Sequence, residues 1–228
     1  MELVDALRTT GAIREFTDEP VDDATIARVL DNARFAPNGG NAQSWRVAVV
    51  KDPGLRALVR DRFLAGWHEY LAMGRAGLRP WAPVTDEAAE REAIAEGRAA
   101  FEAGEPAGDF AAGFDRVPVM LAVAADLRLL AAVDRDLERH PIVGGASVYP
   151  FVWGILLAAH EEGLGGVITT MPIRREPELA GPLGLPEHHA LAAVVVLGHP
   201  VHRPTKLRRK PVDEFATIDR FDGPALAP

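Results

Sequence analysis

Four short stretches hold the residues best equipped for chemistry. Lys206, Arg208, Arg209 and Lys210 crowd "KLRRK" near the end of a chain whose net charge is -8. Guanidinium forks match the paired oxygens of a phosphate, so the stretch is a candidate anion site as well as a plain solvated face. In "PNGGNAQSW", from Pro37 to Trp45, the amides of Asn38, Asn41 and Gln43 surround Gly39 and Gly40. There a missing side chain lets the backbone come close to a ligand. "LRTTGAIREF" brackets Thr9, Thr10 and Gly11 between Arg8 and Arg14, and "VITTMP" ends an apolar run on Thr169, Thr170 and Met171. Each fragment also has an ordinary structural explanation: a helix-to-strand turn, surface arginines, hydroxyls that cap a strand end.

Side chains that catalyse by themselves are missing. The seven histidines do not fall at metal-ligand spacing: His188 and His189 are adjacent and diverge, while His199 and His202 flank a proline turn. Ser44 and Ser147 lack a nucleophile elbow, and the chain has no cysteine, which removes disulfides, thiolate metal sites and a thiol nucleophile. "PNGGNAQSW" is neither a P-loop nor a dinucleotide fingerprint, since it precedes a strand and carries no Lys-Ser/Thr. An enzyme built on this chain keeps its chemistry in a bound cofactor.

The elements that must position these residues follow from hydrophobic period and punctuation. The 228 residues, 48% hydrophobic and 25% charged, suit one globular domain. The acidic balance argues against a nucleic-acid partner, and the lack of a long apolar run or signal-like start points to a soluble cytoplasmic protein with no membrane partner. Asp22 or Asp23 caps a helix that carries Ile26, Val29, Leu30 and Ala33 and stops at Pro37. "WRVAVVKD" reads as a strand, and Leu55 to Phe63 as an amphipathic helix. "VPVMLAVAAD", "GVITT" and "HALAAVVVLGHP" read as buried strands, "LRLLAAVDRDLERH" and "REPELAGPLGLP" as short helices. Val148 to Ala159 forms a long helix, apolar on most faces, closed by Gly163 and Gly165 in the left-handed conformation. Residues 66–115, rich in Gly, Ala and Glu, are too polar to add much core and read as a lid-like insertion.

Taken in order, these fragments resemble the FMN-dependent nitroreductase superfamily. "IREF" followed by "DEPV", "ARFAPNGGNAQSWRVAVV", "SVYPFVWGILLAAHEEGLGG" and "LGLP...LGHP...RRKPVDEF" are similar to its N-terminal motif, amide loop, central helix and ending. "VITTMP" and the ending look like the branch that holds the flavin-dependent dehalogenases of iodotyrosine.

The resemblance implies an α+β, nitroreductase-like fold: a mixed, mostly antiparallel sheet flanked by helices, in an intertwined homodimer. One domain spans 1–228, with 66–115 as the lid and 203–228 as an extension wrapping the partner subunit. It implies FMN as cofactor and NAD(P)H as co-substrate, in ping-pong hydride transfer through flavin N5 to a nitroaromatic, quinone or similar electron-poor small molecule.

By the same resemblance Arg14 approaches the flavin pyrimidine edge, and Arg209, with Arg208, Arg8 and Thr10, meets the phosphate. Pro37, Asn38, Gly39, Gly40, Asn41 and Gln43 come from the opposite subunit, and Thr169, Thr170 and Met171 lie beside N5, Thr170 as its neighbour. The chain departs from the pattern at Thr10-Gly11-Ala12, where the family has Arg-Arg-Ser, at Ser44 before Trp45, and at Trp153-Gly154. Two alternatives stand beside this reading: a reductive dehalogenase of the same fold, using Glu69, Tyr70 and Arg75 or Arg79, and a flavin-binding protein without catalysis.

Overall fold

A computed structural model describes residues 2–226 of the chain. Four strands form one antiparallel sheet in the order β1-β2-β4-β3: β1 Trp45–Val49, β2 Val119–Asp126, β3 Gly165–Thr169 and β4 His189–Gly198. The helices are α1 Leu3–Thr9, α2 Asp23–Ala33, α3 Pro53–Arg75, α4 Glu87–Glu102, α5 Asp109–Ala112, α6 Tyr149–Glu161 and α7 Glu176–Ala180. Ala12 adds a single parallel bridge to Gly166 on the outer side of β3, which makes the sheet mixed. The expected α+β architecture is therefore observed.

Strand period two divides the core into two layers. Val119, Leu121, Val123 and Ala125 of β2 face α2 and α6, while Met120, Ala122 and Ala124 face the α3 side. The phase of β4 shifts at Ala192, the extra residue of a bulge opposite Val123 and Ala124. Leu191 therefore joins the α3 side while Ala193 joins the α6 side. On the α6 side Trp45 stacks on Phe151 at 4.6 Å. As expected, Asp22 caps α2, its carboxylate accepting the Thr25 N–H at 2.7 Å.

Four local expectations are corrected. The helix expected over Leu55 to Phe63 does not end there but spans the 23 residues Pro53–Arg75. Residues 66–115 also add core: His68, Glu69, Ala72, Met73, Ala93, Gly97, Ala100, Ala111 and Phe114 are buried, and Phe114 stacks on Phe63 at 4.3 Å. Small residues explain it, because α4 is polar only on its outer face and presents alanines and a glycine inward. A Cβ on Gly97 would lie 2.6 Å from the Glu69 Cα, so the two helices touch backbone to backbone.

Residues 127–140 form turns rather than a helix. The buried carboxylate of Asp134 gathers the loop, accepting the N–H of Ile142 at 2.8 Å and of Val143 at 3.2 Å and an Arg139 N–H at 2.7 Å. Such a side-chain hub offers the backbone an alternative to helix. Gly163 takes the left-handed conformation, with φ 77°. Gly165 does not: it opens β3, and a Cβ there would sit 2.6 Å from Ile13.

Gly66 is the matching point on α3, where a Cβ would meet the Met171 carbonyl oxygen at 2.6 Å. Gly66→Ala is expected to lose roughly 1–3 kcal/mol of stability through this clash with backbone. Gly74→Ala, with nothing within 4 Å of the added carbon, should gain up to about 1 kcal/mol of helix preference. Urea unfolding of the two variants checks the contrast.

Candidate functional site

The N-terminal segment and the end of β3 frame a cleft of about 190 Å³. Ile13 donates its N–H to the Gly166 carbonyl at 2.8 Å, and that pairing brings the next residue, Arg14, to the mouth of the cleft beside Thr169, Thr170 and Met171. Arg14 is exposed and makes no hydrogen bond or ion pair among the described residues. Thr169 is buried and its hydroxyl accepts the Met171 N–H at 3.3 Å. Thr170 is exposed at the start of a 3₁₀ turn, Met171–Arg175, with φ -113° and ψ 2°. The opposite wall is aromatic, made by Phe63, Trp67 and Tyr70 of α3 together with Phe110. Trp67 stacks on Tyr70 at 5.1 Å and donates its indole N–H to the Ala107 carbonyl at 2.9 Å, so the wall is rigid.

A second group gathers at the other end of the N-terminal segment. Arg203 donates to the carbonyls of Gly163 and Leu164 at 3.1 and 3.0 Å and pins the tail where α6 gives way to β3. Beyond it Pro204 and Leu207 lie over Gly11, 3.0 and 2.8 Å from where a Cβ would be. The loss of a side chain at Gly11 is thus matched by tail residues that fill the space, and the next two residues, Arg208 and Arg209, leave from that point into solvent. Arg8, on the last turn of α1, is exposed nearby in sequence. Thr10 is half-buried, its hydroxyl 2.7 Å from His160 Nδ1. Burial first, and then the charge of Arg203, hold the His160 pKa below its ordinary value, so the ring is neutral near pH 7.

The amide loop is built differently from its sequence appearance. Asn38 turns its side chain inward, accepting the Gln43 N–H at 2.8 Å and donating to the Ala36 carbonyl at 3.2 Å. Gly40, Asn41 and Gln43 all have positive φ, 60°, 53° and 50°. The two glycines have separate reasons: Gly40 is in open space in a left-handed turn, whereas a Cβ on Gly39 would lie 2.8 Å from Ala131 and 3.2 Å from the Ser147 hydroxyl. Pro37 and Gly40 are exposed.

This loop leads into β1, at the sheet edge opposite β3. Three interstrand steps of about 4.8 Å, roughly 14 Å in all, separate the two edges. One chain therefore unites Arg14 with Thr169, Thr170 and Met171 and leaves the 37–43 loop elsewhere.

The residues considered for a dehalogenase do not assemble. Glu69 is 1% exposed and its carboxylate faces three arginines: Arg98 at 3.0 Å, Arg174 at 3.5 Å and Arg175 at 3.6 Å. Arg75 pairs with Glu96 at 2.6 Å. Of that set Tyr70 lines the cleft. Phe63, Trp67 and Phe110 were not among the sequence candidates. Phe63, Trp67 and Tyr70 are spaced four and three apart, a helical stripe visible only once the helix is carried past Gly66.

The family model described as the nitroreductase family matches residues 7–199, and the chain belongs to that family. Human iodotyrosine deiodinase 1 is 27% identical over 217 residues, 94% of this chain and 67% of its own length. An NADH dehydrogenase of Thermus thermophilus is 26% identical over 203 residues, 89% of this chain and 88% of the relative. Among solved structures, a mutant of the FMN and NADPH-dependent nitroreductase NfnB from Sphigopyxis sp. strain HMH is 26% identical with a TM-score of 0.66, covering 97% of this chain and all of that one. No helix among the described residues is long and apolar enough to cross a membrane.

The Asp134 hub lies under the 37–43 loop, because Ala131 and Ser147, against which Gly39 rests, belong to the same segment as Asp134. Its carboxyl is held down to about 2, below the ordinary 3.8, chiefly by the Ile142 N–H and then by Arg139 and the Val143 N–H, against the cost of burial. A depressed carboxyl stabilises the folded state fully above 3.8, and that stability is lost as pH falls through about 2. Asp134→Asn is expected to be less stable than wild type at pH 7, with the difference shrinking through that window. Urea midpoints measured along a pH series check it.

Proposed function

We propose that the protein is an FMN-dependent NAD(P)H oxidoreductase that reduces nitroaromatics, quinones or similar electron-poor small molecules by ping-pong hydride transfer. The observation that carries this reading is Arg14, a guanidinium without a hydrogen bond or ion pair among the described residues, at the mouth of an aromatic-walled cleft beside Thr169 and Thr170. The family membership and the FMN-linked, NADPH-linked relative support it. FMN, when bound, supplies the atom that accepts and passes on hydride.

The chain's own part is binding and electrostatics. Arg14 places positive charge where a reduced pyrimidine edge is negative, and the residues around Thr170 supply the polar contact at N5. Arg8, Thr10, Arg208 and Arg209 fit a phosphate at the Gly11 end, where the exposed cations carry no ion pair among the described residues. Phe63, Trp67, Tyr70 and Phe110 keep water from the aromatic side of the cleft. Residues 66–115, although partly core, cover the cleft as its lid.

The site is completed in a homodimer, where the 37–43 loop of one protomer faces the cleft of its partner and the described part of the tail, residues 203–226, extends over it; residues 227–228 lie outside the described residues. Exposed apolar residues on α1 and α6 support this assembly: Leu3, Val4, Leu7, Tyr149 and Trp153. Similarity to the deiodinase over 94% of the chain favours the dehalogenase as the second reading, and the buried, arginine-held Glu69 counts against it. Anaerobic reoxidation of the reduced protein by a nitroarene, and not by a halotyrosine, is the result expected.

Purified protein is expected to take up FMN and show a bound-flavin spectrum; protein that stays colourless with added FMN overturns the reading. Arg14→Ala should retain FMN while its two-electron midpoint potential falls by on the order of 30 mV, the equivalent of about 1.4 kcal/mol. Spectroelectrochemical titration measures it.

A further inference from the structure

On the α3 side of the sheet, toward the edge opposite the cleft, lies a second hollow of about 250 Å³ that shares no lining residue with the cleft. Its floor follows from the strand register. Arg46 of β1 pairs with Ala124 of β2, which pairs with Leu191 of β4, and two residues further along Ala48 pairs with Ala122. Side chains at such positions point to one face of a sheet. Three alanines in so small a patch leave the sheet bare, whereas Met120, next along the same face of β2, fills its place in the core.

The turn after α7 roofs the patch with Leu183, Leu185 and Pro186. Its own backbone keeps it from settling into the hollow: Leu183 donates its N–H to the Leu179 carbonyl at 2.9 Å, Gly184 to Gly181 at 3.0 Å and Leu185 to Ala180 at 2.8 Å. Gly184 completes the turn in the left-handed conformation, with φ 60°. At the head of α7 the Glu176 carboxylate accepts the Leu191 N–H at 2.6 Å and ties the support of the roof to the floor. The hollow is therefore preformed, and filling it requires little reordering.

Arg46 is the one charged residue lining the hollow among the described residues. It is exposed and makes no hydrogen bond or ion pair among them. The carboxylate next along this face of β2, Asp126, is already held by Arg128 at 2.6 and 2.9 Å. One unpaired cation beside an apolar floor and roof, with no anion in the lining, is complementary to an amphiphilic monoanion.

We infer that this hollow is a ligand site for a small carboxylate with an apolar body, a medium-chain alkanoate, whose chain lies on the alanines beneath Leu183 and Leu185 and whose carboxylate meets the Arg46 guanidinium. A cavity of about 150 Å³ already holds a benzene ring, so the volume suits a chain of medium length. Burial of the chain supplies most of the affinity, and Arg46 supplies the preference for a negative head. Because no residue is shared with the cleft, the site stands whether or not the flavin reading holds.

The test titrates the full-length protein with octanoate, octan-1-ol and octylammonium at pH 7, read by calorimetry. Octanoate is expected to saturate one site per chain and to bind about fivefold tighter than octan-1-ol, the worth of one partly exposed ion pair; octylammonium should bind weakest. Arg46→Gln should bring octanoate down to the octan-1-ol level. Ala48→Phe, at an exposed position of the edge strand, should weaken both octanoate and octan-1-ol severalfold by filling the hollow, with far-UV circular dichroism verifying the fold. Arg116→Gln, which alters an equally solvated arginine outside the hollow, should leave all three ligands unchanged. Absence of saturable octanoate binding, octan-1-ol or octylammonium binding as tightly as octanoate, an Arg46→Gln variant that keeps the octanoate preference, or an Ala48→Phe variant that binds octanoate like wild type would overturn the site.

Discussion

A carboxylate sealed from water and faced by three arginines ties together the parts of this molecule that make the cleft. Glu69 belongs to α3, Arg98 to α4, and Arg174 and Arg175 to the turn that follows β3. Removing one partner from a buried ionic group costs roughly 3–5 kcal/mol, because a charge is left without compensation. The same three elements meet at the two glycines where no side chain fits, Gly66 against Met171 and Gly97 against Glu69. Close backbone approach and shared charge act at one point, so the aromatic wall and the turn beginning at Thr170 hold a fixed spacing.

Much of the fold was legible because burial on both faces leaves a plain signature. β2 and β4 are nearly all apolar, α6 is apolar on most faces, and Asp22 marks the start of α2. The misreadings have separate physical sources. Composition does not measure burial, since α4 buries through small residues at a helix crossing, which need little hydrophobic mass. Residues 127–140 have helical spacing of apolar groups, yet Asp134 turned inward and satisfied the backbone locally instead.

The site was legible in pieces. Arg14 and the 169–171 segment proved neighbours, as did Gly11 and the tail, through pairings between distant parts of the chain that no local pattern specifies. Sequence could not show that Asn38 spends its amide on its own loop, or that Glu69 is buried while its neighbour Tyr70 reaches the cleft; adjacent helical positions differ by about 100° in direction. The aromatic stripe was hidden by Gly66, which reads as a helix breaker but serves as a contact point.

The packing of the tail on Gly11 also bears on how the chain matures. Thr10 and His160, 150 residues apart, are hydrogen-bonded, and Leu207 seals the same end from still farther along the chain. Contacts of such separation bear the greatest loop-closure cost and form late in folding. During synthesis Thr10 and Gly11 therefore emerge long before the residues that will cover them. The sealed Gly11 end is a property of the finished chain alone, and a nascent polypeptide halted anywhere before Leu207 lacks it.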